Sequence, residues 1–226
     1  MKTVNGIALP DHEEHLVGYI ERGPLVGGRG TYQHHKYVAA VARVRHRGVA
    51  IDVGAHVGLW TRLLALDFAE VHAFEPVAAH VDCWRHNVTA KNARLTQIAL
   101  GAVTKDAVEM IRPPGNSGNA KVARQLHEGG ERVRMSTLDA EIPAEKAVDF
   151  IKIDCEGYEM FVLQGARQTI QRSRPVIIVE QKRGNGQHYG LGQTDAVKLL
   201  QEWCYSAVEV IAGDYIMVHP SSGTRR

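Results

Sequence analysis

Cysteine is scarce in this chain. Its three residues, Cys83, Cys155 and Cys204, are odd in number and far apart. They therefore suggest neither a disulfide framework nor a C-x-x-C metal clip, and a reducing compartment is expected. Aromatic residues make up only 6%, and no basic stripe is interleaved with them, which argues against a nucleic-acid groove. The charge is nearly balanced, with 27 basic against 25 acidic residues and a formal net charge of +2, so no footprint for a polyanion follows from it. Long apolar runs are missing too. None reaches the length that spans a bilayer, and the opening MKTVNGIALPDHEEH lacks the apolar core of a secretion signal. A soluble, cytoplasmic protein with no membrane association is expected. Internal repeats and low-complexity segments are also absent.

What is present suffices for a folded core. The 226 residues are 44% hydrophobic and 23% charged, an ordinary globular composition that needs no staples. The first thirty residues end in the glycine-rich run Gly23-Pro24-Leu25-Val26-Gly27-Gly28-Arg29-Gly30 and read as a flexible lead-in. Residues 31–220 read as one domain. It opens with a helical pattern that sets Tyr37, Val38, Val41 and Val44 on one face.

From Val49 onward, short β-rich runs alternate with helical ones. Strands are expected over residues 49–53, 71–74, 95–100, 148–153 and 175–179. Helices are expected over 59–68, with Leu63, Leu64 and Leu66 inward, and over 77–87, 158–168 and 194–203. Such alternation implies right-handed parallel crossovers, hence an α/β doubly wound sheet with both faces covered. The end differs: an apolar run, a tight turn at Gly213-Asp214 and another apolar run make an antiparallel hairpin. Residues 112–130, rich in Pro, Gly and Asn, fit neither pattern, and a long loop over a substrate is one reading of them.

Chemistry concentrates at strand ends, where open α/β sheets bind ligands. The first strand ends in Asp52 and turns through Gly54-Ala55-His56-Val57-Gly58 into a helix. A dinucleotide turn would carry a third glycine. Here an acid stands two residues before the first glycine instead, and a carboxylate suits a cationic amino-acid end better than a pyrophosphate. Glu75 closes the second strand, where an acidic side chain can hold a ribose diol. Asp154 ends the fourth strand and Glu156 follows two residues later; one is expected to be functional, with Asp154 favoured, and the other to cap the next helix. Lys152 and Glu180 are candidate assistants. A divalent metal on Asp154 and Glu180 lacks an evident third ligand, so no metal is assigned.

Three weaker features carry no assignment. His12-Glu13-Glu14-His15 has the wrong spacing for a zinc helix, the run Arg43, Arg45, Arg47 suits a solvated helix end, and the twelve histidines are scattered.

Five blocks in order, Asp52-Val53-Gly54-Ala55-His56-Val57-Gly58, Ala73-Phe74-Glu75-Pro76, Ser136-Thr137-Leu138-Asp139, the run Ile151 through Glu159, and Arg174 through Glu180, resemble the FkbM-type methyltransferases. The resemblance covers residues 49–180 and, more loosely, the closing hairpin. It implies a class I methyltransferase fold (Rossmann-like, mostly parallel with a C-terminal antiparallel hairpin), S-adenosylmethionine as cofactor, and methylation of a hydroxyl on a sugar or small metabolite. Carried over by position, Asp52, Gly54 and Gly58 line the methionine end of the cofactor and Glu75 its ribose, with Ala55, His56, Pro76 and Ala99 completing the cofactor set. His56 departs from the pattern, since the family commonly has Asn there. Substrate is expected between residues 112–130 and 183–193. A methyltransferase acting on nitrogen, RNA or protein, or a silent binding module of the same fold, remains the alternative.

Overall fold

A computed structural model describes residues 1–113, 115–124 and 130–223. The amino-terminal part holds β1 (Lys2–Val4), β2 (Ile7–Leu9), α1 (His15–Arg22) and α2 (His34–Val41). The alternating part follows, with β3 (Val49–Val53), α3 (Leu59–Asp67), β4 (Glu70–Phe74), α4 (Ala78–Asn87) and β5 (Ala93–Thr96). Next come β6 (Ala99–Leu100), β7 (Lys105–Ile111), β8 (Lys121–Val122), β9 (Glu131–Ser136) and α5 (Leu138–Glu141). The chain continues with β10 (Phe150–Ile153), α6 (Glu159–Gln164), α7 (Arg167–Ser173) and β11 (Val176–Glu180), and closes with α8 (Asp195–Glu202), β12 (Ser206–Ile211) and β13 (Asp214–Val218).

Seven strands form the main sheet in the order β12-β13-β11-β10-β3-β4-β5. β10 pairs in parallel with both β3 and β11, and only β13 runs against its neighbours. The alternation expected along each strand sorts side chains to two faces. Ile51, Ile151 and Ile177 join Leu163, Ile170 and Leu200 beneath α6, α7 and α8. Ala50, Phe150 and Ile178 join Tyr37, Leu63 and Leu64 beneath α2 and α3. Strand order reverses between β3 and β10, which makes their carboxyl ends the topological switch point where such sheets bind ligands. The doubly wound, mostly parallel sheet is therefore as expected. The final hairpin inserts β13 between β11 and β12, with Ala212 and Gly213 at positive φ as its two-residue turn; Asp214 belongs to the strand.

Four expectations need correction. The first thirty residues are a built part of the fold. Ile7, Leu9, Leu16 and Ile20 pack with Val57, Leu59 and Cys83 in a shared apolar cluster. Asn87 fastens them, accepting from the amide of Ala8 (2.8 Å) and donating to the carbonyls of Ala8 (2.9 Å) and Val57 (2.8 Å). The strand expected over 95–100 breaks in two, because the Ile98 amide donates back to the Thr96 carbonyl at 3.1 Å in a tight turn. Its second half, β6, enters a separate four-stranded sheet, β6-β9-β7-β8, built on Val108, Met110, Val133 and Met135. Leu66 and Val38 are exposed, at 69% and 49%; each lies off the face its helix buries. The described part of residues 112–130 holds β8 and a 3-10 turn at Ser117–Asn119, while Pro114 and residues 125–129 lie outside the described residues.

Candidate active site

The turn after β3 is tight because two chains meet there. Gly54 has φ +72°, and a Cβ on it would come within 1.9 Å of the Asp154 carbonyl oxygen, so only glycine lets β3 and β10 end side by side. Gly58, at φ +86°, faces the other way: a Cβ there would meet Trp84 and Val88 at 2.7 Å. Its lack of a side chain serves helix packing.

Asp52 and Lys152 are register partners on β3 and β10, and both are buried. The Lys152 ammonium lies 3.3 Å from Asp52 and 4.0 Å from Asp154, and it donates to the Gly54 carbonyl at 2.7 Å. The other Asp52 oxygen accepts from the Thr61 hydroxyl at 2.6 Å. Burial works against the charge on Lys152, but Asp52 and then Asp154 outweigh it and hold its pKa above the ordinary value. Asp52 is thus a tie between strand and helix.

Glu75 is also buried. It accepts from the His56 amide (2.8 Å), the Val77 amide (3.0 Å) and His80 Nδ1 (2.9 Å). Three donors leave a carboxyl group room for one more. The His56 ring stands edge-on to His80 with centroids 4.3 Å apart. Burial, then His80 and Lys152, push its pKa well below the usual imidazole range.

After β10 the acids crowd. Asp154, Glu156 and Glu180 each place an oxygen within 4.8 Å of the others. Asn185 donates to Glu156 (2.9 Å) and Glu180 (3.3 Å), and Lys182 pairs with Glu180. Burial raises Glu156 to about 7, with Asp154 adding to it. Burial, then Asp154 and Glu156, raise Glu180 to about 9 against the pull of Lys182. Since Lys152 is matched by Asp52, the three carboxyl groups share, among the described residues, the Lys182 ammonium that pairs with Glu180, and their crowding favours keeping a proton near neutral pH.

Neither Asp154 nor Glu156 caps the following helix. Its N-terminus has no side-chain cap; Glu159 instead reaches back from the first turn and braces the loop, accepting from the amides of Cys155 and Gly157, both at 2.9 Å. Glu156 also supplies the third oxygen ligand that a metal reading lacked, although Lys182 already brings the positive charge an ion would.

Two adjoining cavities open here. Gly54, His56, Asp154 and Glu156 line both. Glu75, Pro76 and Ala99 line the first, which has apolar walls including Ile98 and Met110. Ala55 and Lys152 line the second, with Tyr32, Trp60 and Lys182. Asp52, Gly58 and Glu180 line neither. Sequence reasoning missed Tyr32, His80, Ser117 and Lys182, which come from four separate elements with no motif between them. Residues 116–122 border the cavities, whereas 183–193 stand behind them, the Tyr189 hydroxyl donating to the Val122 carbonyl at 2.8 Å.

The family model for the methyltransferase FkbM domain matches residues 52–203, two-thirds of the chain. The chain belongs to the FkbM-type methyltransferases. Methyltransferase 1 of Beauveria bassiana (strain ARSEF 2860) is 28% identical over 141 residues, 51% of this chain and 57% of that protein. The chain thus spans little more than half the length of that relative. Among solved structures, the methyltransferase FkbM of Methylobacillus flagellatus KT has a TM-score of 0.47 at 18% identity, covering 74% of this chain and 42% of its own. A TehB-like SAM-dependent methyltransferase from Corynebacterium glutamicum has 0.46 at 11% identity, covering 84% and 88%. The residues present fit S-adenosylmethionine, the cofactor that the family resemblance implies. Glu75 has room to accept from a ribose hydroxyl, the Ile98–Ala99 wall is apolar enough for a base, and the surplus of acid at Asp154 and Glu156 suits a cation.

Proposed function

We propose that this protein uses S-adenosylmethionine to methylate a hydroxyl group on a sugar or other small metabolite. Its methyltransferase domain would be residues 31–220, with the first thirty residues as a packed cover on one side. The observation that carries the reading is the pair of adjoining cavities that share Asp154 and Glu156. One has the features of a cofactor site and the other is polar enough for a hydroxylated acceptor.

When bound, S-adenosylmethionine supplies an electrophilic methyl group on a positively charged sulfur. The chain's task is to position an acceptor and remove its proton. Gly54, Ala55, His56, Glu75, Pro76 and Ala99 would hold the cofactor. Asp154 would accept a hydrogen bond from the acceptor hydroxyl, and Lys152, tied to Asp52 and to the Gly54 carbonyl, keeps that carboxyl in place. That hydroxyl proton would be taken by Asp154 and handed on to Glu156, whose pKa of about 7 suits a final acceptor near neutral pH. Glu180 and Lys182 set the charge around it.

Calorimetry with S-adenosylhomocysteine tests the cofactor half of this reading. Binding to the wild type and at least ~10-fold weaker binding to Glu75→Gln, from loss of one charge-assisted hydrogen bond, are expected. Equal affinity in the two would count against the ribose assignment. A screen of hydroxylated acceptors for S-adenosylhomocysteine release tests the other half.

A further inference from the structure

His56 is the one residue of the glycine turn that leaves the family pattern, and its ring points to a use. We infer that His56 is a positioning residue that clasps residues 116–120 over the cofactor cavity, through Ser117 to the buried carboxyl group of Glu13. The inference rests on the reading of that cavity as the S-adenosylmethionine site.

Three distant stretches of chain meet in one line. His56 Nε2 lies 2.8 Å from the Ser117 hydroxyl oxygen. That hydroxyl donates to Glu13 Oε2, and the Ser117 amide donates to the same oxygen at 2.7 Å. The other Glu13 oxygen accepts from the Leu16 amide at 2.7 Å, at the start of α1. Glu13 is fully buried and Ser117 nearly so. Because the single hydroxyl proton of Ser117 goes to Glu13, His56 must donate through Nε2–H. That leaves Nδ1 as its free acceptor.

The clasped segment is wall to both cavities: Ser117 and Gly118 line the first, Asn116, Gly118 and Asn119 the second. A second attachment between the segments, the Glu14 amide on the Gly115 carbonyl at 3.3 Å, runs beside the clasp.

Backbone preference sharpens the case. His56 has φ +50°, a left-handed conformation that Asn adopts more readily than His. As a turn residue alone, Asn would serve better. An Asn amide, however, ends near the position of Nδ1, short of Ser117, whereas a Gln amide reaches about as far as Nε2.

The test is amide hydrogen exchange over residues 115–123 without ligand, joined to S-adenosylhomocysteine calorimetry, on wild type, H56N, H56Q and S117A. At least ~10-fold faster exchange and ~10-fold weaker binding are expected in H56N and S117A. H56Q should stay close to wild type, and H56N should melt no lower than wild type. The double variant H56N/S117A should lose no more than either single one, since both break one link. Unchanged exchange and affinity in H56N and S117A, with the wild type binding normally, would overturn the clasp. Faster exchange in both, with no binding even by the wild type, would support the clasp and overturn the cofactor reading.

Discussion

The turns after β3 and β10 look alike in sequence and differ in what their acids do. Each begins with an aspartate near the strand end, passes through a positive-φ residue that is not glycine (His56 and Glu156), and carries a glycine at positive φ (Gly54 and Gly157). Yet Asp52 is fully buried, with Thr61 donating to one oxygen and the Lys152 ammonium 3.3 Å from the other. Asp154 is partly open, 4.0 Å from the nearest ammonium, and crowded by Glu156 and Glu180. The same residue type at equivalent strand ends is a fastener in one turn and, in the proposed reaction, the reactive group in the other. The difference is set by whether a cation lies beside it before any ligand arrives.

Exchanging the two acids for amides breaks this comparison if it is wrong. The largest effect is expected for Asp154→Asn: turnover falls ~100-fold, the typical share of a positioned acid–base group, while the melting temperature barely moves. Steady-state kinetics beside a thermal melt reads both. Comparable turnover in wild type and variant would move the reactive group elsewhere in the cluster.

For Asp52→Asn the pattern inverts. A buried ammonium loses its matched partner, a change that costs about 3 kcal/mol, or a melting temperature lower by roughly 6–12 °C for a chain of this size. Adding Lys152→Met should recover much of that loss, because the unpaired charge goes with it. A double variant no more stable than Asp52→Asn alone would mean that the pair is not what Asp52 contributes.

The smallest effect is one of pH. Glu156 has a folded-state pKa raised to about 7 by burial and by Asp154, above the unfolded value of about 4.3. Between those values the folded chain binds more protons than the unfolded one, so this group's contribution to stability falls as pH rises. Glu156→Gln removes that slope and still accepts from Asn185. Its melting temperature should match the wild type near pH 5 and exceed it by about 2–4 °C at pH 8, a gap of about 1 kcal/mol. The rising limb of the wild-type pH–rate profile near pH 7 should also vanish in this variant.

The comparison also explains what was legible in the sequence. Asp52, Glu75 and Asp154 could all be found, because strand ends are marked by apolar runs that stop at an acid. Their separate roles could not, since the partners Lys182, Thr61 and His80 sit on elements with no fixed spacing from them. The expected helix cap failed for a related reason, since the helix start has no side-chain cap and the acid nearest it braces the loop instead. Glu159 reaches back to the amides of Cys155 and Gly157 from inside its helix, and which of three nearby acids does so depends on the path of the turn. The second sheet escaped because β6 and β8 are two residues long, too short for period-2 alternation to show. In β7 a register shift between Lys105 and Val108 interrupts the pattern.

The sequence by itself determined the alternating strand–helix order, the parallel sheet, the closing hairpin and the acids at three strand ends, because hydrophobic period and strand-end chemistry are local properties. Only the tertiary structure decided that the first thirty residues pack into the core, that β13 lies inside the sheet edge, that Lys152 sits closer to Asp52 than to Asp154, and that Glu13, His56 and Ser117 share one line of hydrogen bonds. Those outcomes depend on which side chains from distant segments are brought within 3 Å and shielded from water, and no spacing along the chain encodes that directly.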